Sequence, residues 1–151
     1  MRLAPAHVTS LLVSYRQLTG RPLLAVVPGE TELETAARLY HAPVVVLAHD
    51  ARPDPCFTYA NLAAQRLFER DWDEFIGLPS RLSAEARARA ERERLLQRVA
   101  AHGFIDDYSG VRIAKSGRRF QILGATVWNV SDAAGRCVGQ AASFADWAPC
   151  G

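Results

Sequence analysis

No stretch of this chain is apolar for long enough to cross a bilayer. The longest uninterrupted run, Ala42 to Ala48, falls far short of the roughly 20 residues a membrane helix needs. Cysteine is scarce: Cys56, Cys137 and Cys150 form no C-x-x-C pair, which speaks against a disulfide framework and against a zinc knuckle. The opening residues, M-R-L-A-P-A-H-V-T-S, lack the apolar core and cleavage site of a secretory leader, so a reducing cytoplasm is the expected compartment. Charge of one sign is not in excess either. Eighteen Lys and Arg against 16 Asp and Glu leave a net charge of +2, too little to imply a nucleic-acid partner. Repeats and low-complexity segments are missing. So are the motifs of common catalysts: there is no G-x-S-x-G, no H-E-x-x-H, no phosphate loop and no His-x-Glu with distant cysteines. What remains is 151 residues with 49% hydrophobic content, enough to bury a core as one soluble domain.

The pattern changes once along the chain. Residues 1–42 read as a helical extension, and 43–151 as an α+β domain. Val8, Leu11, Leu12, Tyr15 and Leu18 recur at helical spacing before Gly20 and Pro22 stop them. Leu23 to Val27 is a short strand or an extended connection. Thr31 or Glu30 opens a second helix through Leu33, Ala36, Ala37 and Tyr40. From Val44 the β-branched run V-V-V-L-A predicts a strand covered on both faces, and Cys56 to Tyr59 its antiparallel partner. Helices are expected over 61–70, 72–76 and 83–102. Three strands follow, Ile105–Ala114, Arg118–Val130 and Arg136–Trp147, joined by turns rich in Gly, Ser and Asp.

The segment Phe57 to Gly77 is the most specific. A short strand ends at Asn61, and a helix follows with Ala63, Ala64, Leu67 and Phe68 on one face. Asp71 and Glu74 then stand at the spacing of a capping box, with Gly77 and Pro79 ending the second helix. Two strands, a helical excursion and a three-strand meander resemble a PAS sensor domain, with a five-stranded antiparallel sheet and helices on one face. The segments G-L-P-S-R-L-S-A-E, G-F-I-D-D-Y-S-G-V-R-I, G-R-R-F and A-T-V-W-N-V resemble the MEKHLA domain family, a PAS-related group, from about Leu12 to Trp147. That family includes stand-alone bacterial proteins and the C-termini of plant class III homeodomain–leucine zipper factors. No homeodomain or zipper pattern occurs in this sequence, so DNA binding is not carried over. The resemblance implies a sensory role without naming a ligand.

Candidate binding residues follow from the pattern and the resemblance. Arg92 falls on the inward stripe of the long helix with Ala88, Leu95, Leu96 and Val99, while Arg87 and Arg94 point elsewhere. An inward guanidinium reaches solvent at a cavity rim, bridges to Asp106 or Asp107, or meets an anionic ligand. Ser80 and Arg81 lie in the frame Gly77-Leu78-Pro79-Ser80-Arg81, where light-oxygen-voltage domains carry a flavin-reactive cysteine before an arginine. Ser80 replaces that thiol, and Phe144 replaces the flavin-contacting glutamine, so no adduct chemistry is expected; flavin held without an adduct stays open. His102 is a haem-ligand candidate, yet His102-Gly103 also reads as a helix C-terminus. On the strands, Phe120, Ile122, Thr126, Trp128 and Val130 are expected to alternate with Gln121, Leu123, Val127 and Asn129. Asp106 and Asp107 should then point to opposite faces.

The expected ligand-binding set is therefore Tyr59, Asn61, Ser80, Arg81, Arg92, Asp107, Tyr108, Trp128 and Asn129. Asn61 has an alternative role as a helix cap, and Trp128 one as core. Together these groups suit a small aromatic or carboxylated molecule. The reading is a PAS-type sensory module, binding a small molecule or a protein and signalling by association, with a homodimer through its N-terminal helices. No catalytic residue, metal, resident cofactor or membrane partner is expected. The rival readings are a small cavity enzyme using Asp107 and Tyr108, and a flavin- or haem-binding sensor.

Overall fold

The computed structural model describes residues 2–85 and 89–150. Helices α1 (Pro5–Thr19) and α2 (Glu32–His41) precede strands β1 (Val45–Asp50) and β2 (Phe57–Ala60). Helices α3 (Leu62–Phe68) and α4 (Trp72–Phe75), a 3₁₀ turn at Ser80–Ser83, and α5 (Arg89–His102) follow. The chain closes with β3 (Phe104–Ile113), β4 (Arg119–Ser131), β5 (Cys137–Phe144) and β6 (Asp146–Cys150). Every pairing is antiparallel, in the order β2-β1-β5-β4-β3.

Local chemistry explains where the helices begin. Asp71 accepts from Glu74 N at 2.9 Å while the Glu74 side chain accepts from Asp71 N at 3.2 Å, completing the expected box. Thr31 and Glu34 repeat the device at α2. Asn61 caps α3, its Oδ1 accepting from Ala64 N. Leu23 to Val27 forms no strand. The helix expected over 83–102 is shorter in its described part. Ser83 ends the 3₁₀ turn, and Ala84 and Glu85 are not helical. The inward place expected of Ala88 and the outward one of Arg87 lie outside the described residues.

The two faces of the sheet are covered differently. On one, Phe57, Phe68, Phe75, Phe120 and Phe144 form a core with α3 and α4, continued by Leu95 and Val99 of α5 against Val127. On the other, α1 brings Val8, Leu11 and Tyr15 against Val46, Ala48, Trp128 and Val130, with Leu39 of α2 alongside. The N-terminal helices thus cover the back of the sheet within the same chain. Trp128 Nε1 donates to Leu11 O at 3.2 Å, and the Tyr15 ring meets the Trp128 ring edge-on at 4.9 Å.

Four register slips depart from simple alternation. One lies at Val138, at the start of β5, where Val130 pairs Gly139 and Ser131 pairs Cys137. The other three change which residues face the core. In β2, Tyr59 pairs Ala48 and Phe57 pairs His49, so Thr58 is an extra residue. In β3, Ile105 pairs Val127 but Tyr108 pairs Ala125; the additional residue leaves Asp106 and Asp107 both exposed, not on opposite faces as expected. In β4 the step from Ala125 to Ile122 is one too long against Tyr108 and Gly110, with Gly124 at φ +63°. Phe120 and Ile122 consequently share a core with Ala125, and they face the same side as Val127 rather than Trp128. The single closing strand expected to reach Trp147 is also broken. β5 pairs Thr126–Ser131 of β4, and after Ala145 β6 pairs Arg119–Leu123 of the same strand.

Candidate functional site

Between the sheet and α5 lies an inner cavity of about 60 Å³, adjoined by an outer recess of about 540 Å³. The strands supply a mostly apolar inner wall: Leu47 of β1, Phe57 of β2, Ile122 of β4 and Phe144 of β5 all face it. Helix α5 closes it with Arg92, Leu95 and Leu96. His49, Arg92, Leu96 and Gln140 line both spaces and form the neck between them.

Arg92 is inward, as its helical spacing predicts, and only 5% exposed. Neither expected aspartate meets it. Asp106 instead faces Arg21 across the surface at 3.9 Å, and Asp107 is exposed on the β3 bulge. Arg92 Nη2 donates to Ser80 Oγ, which the 3₁₀ turn holds in place through Ser80 N to Pro55 O at 2.8 Å. A second guanidinium, Arg112 of β3, enters the same cavity at 9% exposure. It donates to Tyr108 Oη at 3.0 Å and to Val111 O at 2.9 Å, and lies over the Tyr108 ring. Gly110 makes room for that ring: a Cβ there would sit 2.0 Å from Tyr108 Oη. Burial first, and the neighbouring Arg112 charge second, lower the Arg92 pKa to about 10. It is still a cation at neutral pH.

The neck is set by two amides from adjacent strands. Gln140 Nε2 donates to Leu96 O at 3.0 Å and to Asn129 Oδ1 at 3.1 Å, and Asn129 Nδ2 donates to Val99 O at 3.1 Å. These bonds fasten α5 to β4 and β5. Gln140 Oε1 is buried and has no hydrogen-bond partner, an orphan shared among the described side chains only with Tyr59 Oη. His49 Nδ1 donates to Asp50 O at 2.8 Å, since a carbonyl can only accept; the neutral ring therefore carries its lone pair on Nε2.

Burial lowers the His49 pKa, with Arg92 adding to the effect against the Asp50 carbonyl, and burial alone lowers that of His7. Both histidines take up protons more readily in the unfolded chain, so stability rises with pH across the interval below their ordinary value of 6.5. The chain is expected to be most stable above that value and to lose stability as pH falls through about 6 to 5. Chemical denaturation across this range should show the fall, with a shallower one in His49→Gln. A midpoint independent of pH there would contradict the neutral assignment.

The structure brings Ser80, Arg92, Tyr108 and Asn129 to this site, with Arg81 at the outer rim, where it pairs Asp54 at 3.2 Å. It does not bring the other four. Tyr59 and Trp128 lie on the back of the sheet under α1. Asn61 is fully buried, with its amide bonded to Val46, Ala64, Leu39 and Val44. Asp107 faces outward. His102 is exposed at the end of α5, and Gly103 at φ +93° donates to Val99 O, the cap geometry. Arg112, Gln140, His49 and Ser83 were not among the expected residues. Gln140 was readable in principle, because it shares strand parity with Ala142 and Phe144 in a stretch without a bulge.

Solved structures share this architecture. The PAS domain of a protein from Colwellia psychrerythraea superposes with a TM-score of 0.61 at 13% identity, covering 73% of this chain and 91% of that one. An RNA-binding light-oxygen-voltage receptor gives 0.66 at 20% identity; 82% of this chain matches 35% of that longer one. A fungal light-oxygen-voltage photoreceptor domain gives 0.59 at 19%, covering 90% and 88%. At these identities the likeness establishes a PAS fold. No curated protein matches the chain. The MEKHLA domain profile, however, matches residues 5–149, taking in the helices behind the sheet as well as the strands and α5 in front, so the chain belongs to the MEKHLA domain family.

Proposed function

We propose that this chain is a PAS-type sensory module that holds a small molecule between its sheet and α5. One observation carries the reading: an unpaired buried amide oxygen and two buried guanidiniums without a carboxylate partner among the described residues line a cavity that continues into an outer recess. Among the described residues the other buried side-chain atom without a partner is Tyr59 Oη, on the back of the sheet. A neck that leaves an amide oxygen unpaired beside two guanidiniums has the character of a binding site.

Occupancy is reported by association, not by catalysis. The Asp107–Tyr108 pair proposed for an enzyme is split, Asp107 outside and Tyr108 bonded by Arg112. The partner surface is the N-terminal region, where Val13, Val26, Val27 and Leu33 are exposed, and a second copy is the simplest partner. Ser80 and Phe144, both on the inner wall, argue against flavin photochemistry by their side-chain types. Native mass spectrometry of the purified chain, with an absorption spectrum, tests the reading. A colourless protein carrying a small added mass is the expected result, together with a dimer peak. A chain that retains nothing and gains no thermal stability from any small-molecule library would overturn it.

A further inference from the structure

We infer that the molecule held here is a small organic acid, its carboxylate between Arg92 and Arg112 and its own O–H or N–H group donating to Gln140 Oε1. This inference rests on the small-molecule reading above. Seven arginines nearer the surface, Arg21, Arg38, Arg52, Arg81, Arg118, Arg119 and Arg136, have carboxylate partners. The two that line the inner cavity have none among the described residues, although they are 5% and 9% exposed. The pattern is the reverse of what stability alone would select. Buried cations need compensation most, and surface pairs contribute little.

Size and shape narrow the ligand further. The inner cavity, about 60 Å³, is the smaller of the two spaces and suits a carboxylate head. The remainder of the molecule must pass the neck into the recess of about 540 Å³. Arginine's planar fork matches a carboxylate, and apolar walls such as Leu47, Phe57 and Phe144 keep water from weakening that contact. Gln140 supplies the second contact. Its Nε2 is committed to Leu96 and Asn129, so the buried Oε1, on a residue 8% exposed, can only accept. A simple carboxylate leaves it unpaired; a hydroxy or amino acid does not. Carbon-free anions such as phosphate satisfy the guanidiniums but do not extend to the recess.

The test compares wild type with Arg92→Met and Gln140→Leu. Ligand released from the native chain by denaturation should ionise as an acid in mass spectrometry, and Arg92→Met should carry none. In thermal-shift and calorimetric titrations, lactate and salicylate should stabilise wild type, lactamide and salicylamide should not, and Arg92→Met should weaken acid binding more than 10-fold. Gln140→Leu should bring lactate down to the affinity of propionate. Ligand-free Arg92→Met should melt higher than ligand-free wild type, because an uncompensated buried charge is gone; a purely structural arginine would give a lower melting temperature. A neutral released ligand, equal binding of acids and amides, or binding of inorganic phosphate alone would overturn the acid assignment while leaving the small-molecule reading intact. Absence of any retained or added ligand would remove both.

Discussion

Gly139→Ala is expected to destabilise the protein by at least about 3 kcal/mol, at or beyond the upper end of ordinary overpacking. Gly139 lies in β5 between Asp50 of β1 and Val130 of β4, in the middle of the sheet. A Cβ there would stand 2.0 Å from His49 O and 3.2 Å from Asp50 Cα. Both are backbone atoms of the neighbouring strand. No rotamer change relieves the clash, so β1 and β5 must separate, and His49 and Gln140 move with them. Gly110→Ala is the informative comparison. Its Cβ would meet Tyr108 Oη at the same 2.0 Å, but that atom ends a side chain that can swing away. Urea denaturation followed by circular dichroism should therefore rank Gly139→Ala far below Gly110→Ala. A Gly139→Ala melting point within about 2 °C of wild type would show that the strands yield easily there.

Asn61→Ala should cost a comparable amount, about 3 kcal/mol or more. A cap alone is worth about 1 kcal/mol. Asn61 does more than cap, because Oδ1 accepts from Val46 N and Ala64 N, both at 3.1 Å, and Nδ2 donates to Leu39 O at 3.1 Å and Val44 O at 2.8 Å. One amide thus ties the end of α2, the edge of β1 and the first turn of α3, with no exposure to water that would replace any of these bonds. Asn61→Ser should recover the cap and little else. Asn61→Asp should be worse than Ser at neutral pH, since it turns a carboxylate oxygen toward two carbonyls, and should improve on acidification as that carboxyl protonates. Equal stabilities for Ala, Ser and Asp by equilibrium denaturation would mean that the four bonds are not what holds this junction.

Helical features were legible in the sequence, and strand faces were not. The spacing of Arg92 to Ala88 and Leu95 places it inward, and it is inward. The Asp71 box was read from two residues and is present. Helical periodicity survives because a helix does not gain or lose a residue at a neighbour's expense. Strand alternation has no such protection: one extra residue reverses everything beyond it. Thr58 turns Tyr59 to the back, the Asp106–Asp107 bulge puts both carboxylates in solvent, and the slip at Gly124 separates Trp128 from Phe120. Of the three, only Gly124 carried a signal, an isolated glycine inside a strand. Arg112 escaped for the same reason, since its face depends on the β3 bulge upstream.

The backs of two neighbouring residues on β4 give the sheet a further property. Asn129 reaches forward to Gln140, while Trp128 reaches backward to Leu11 O and Ser131 N donates to Ser14 Oγ at 2.9 Å. Peptide geometry makes these anchors inseparable: a rotation of the strand that draws one amide toward the neck must tilt the indole by a similar angle. Were the strand to rotate in this way, the first helix would be carried with it, because two of its residues are bonded to that strand.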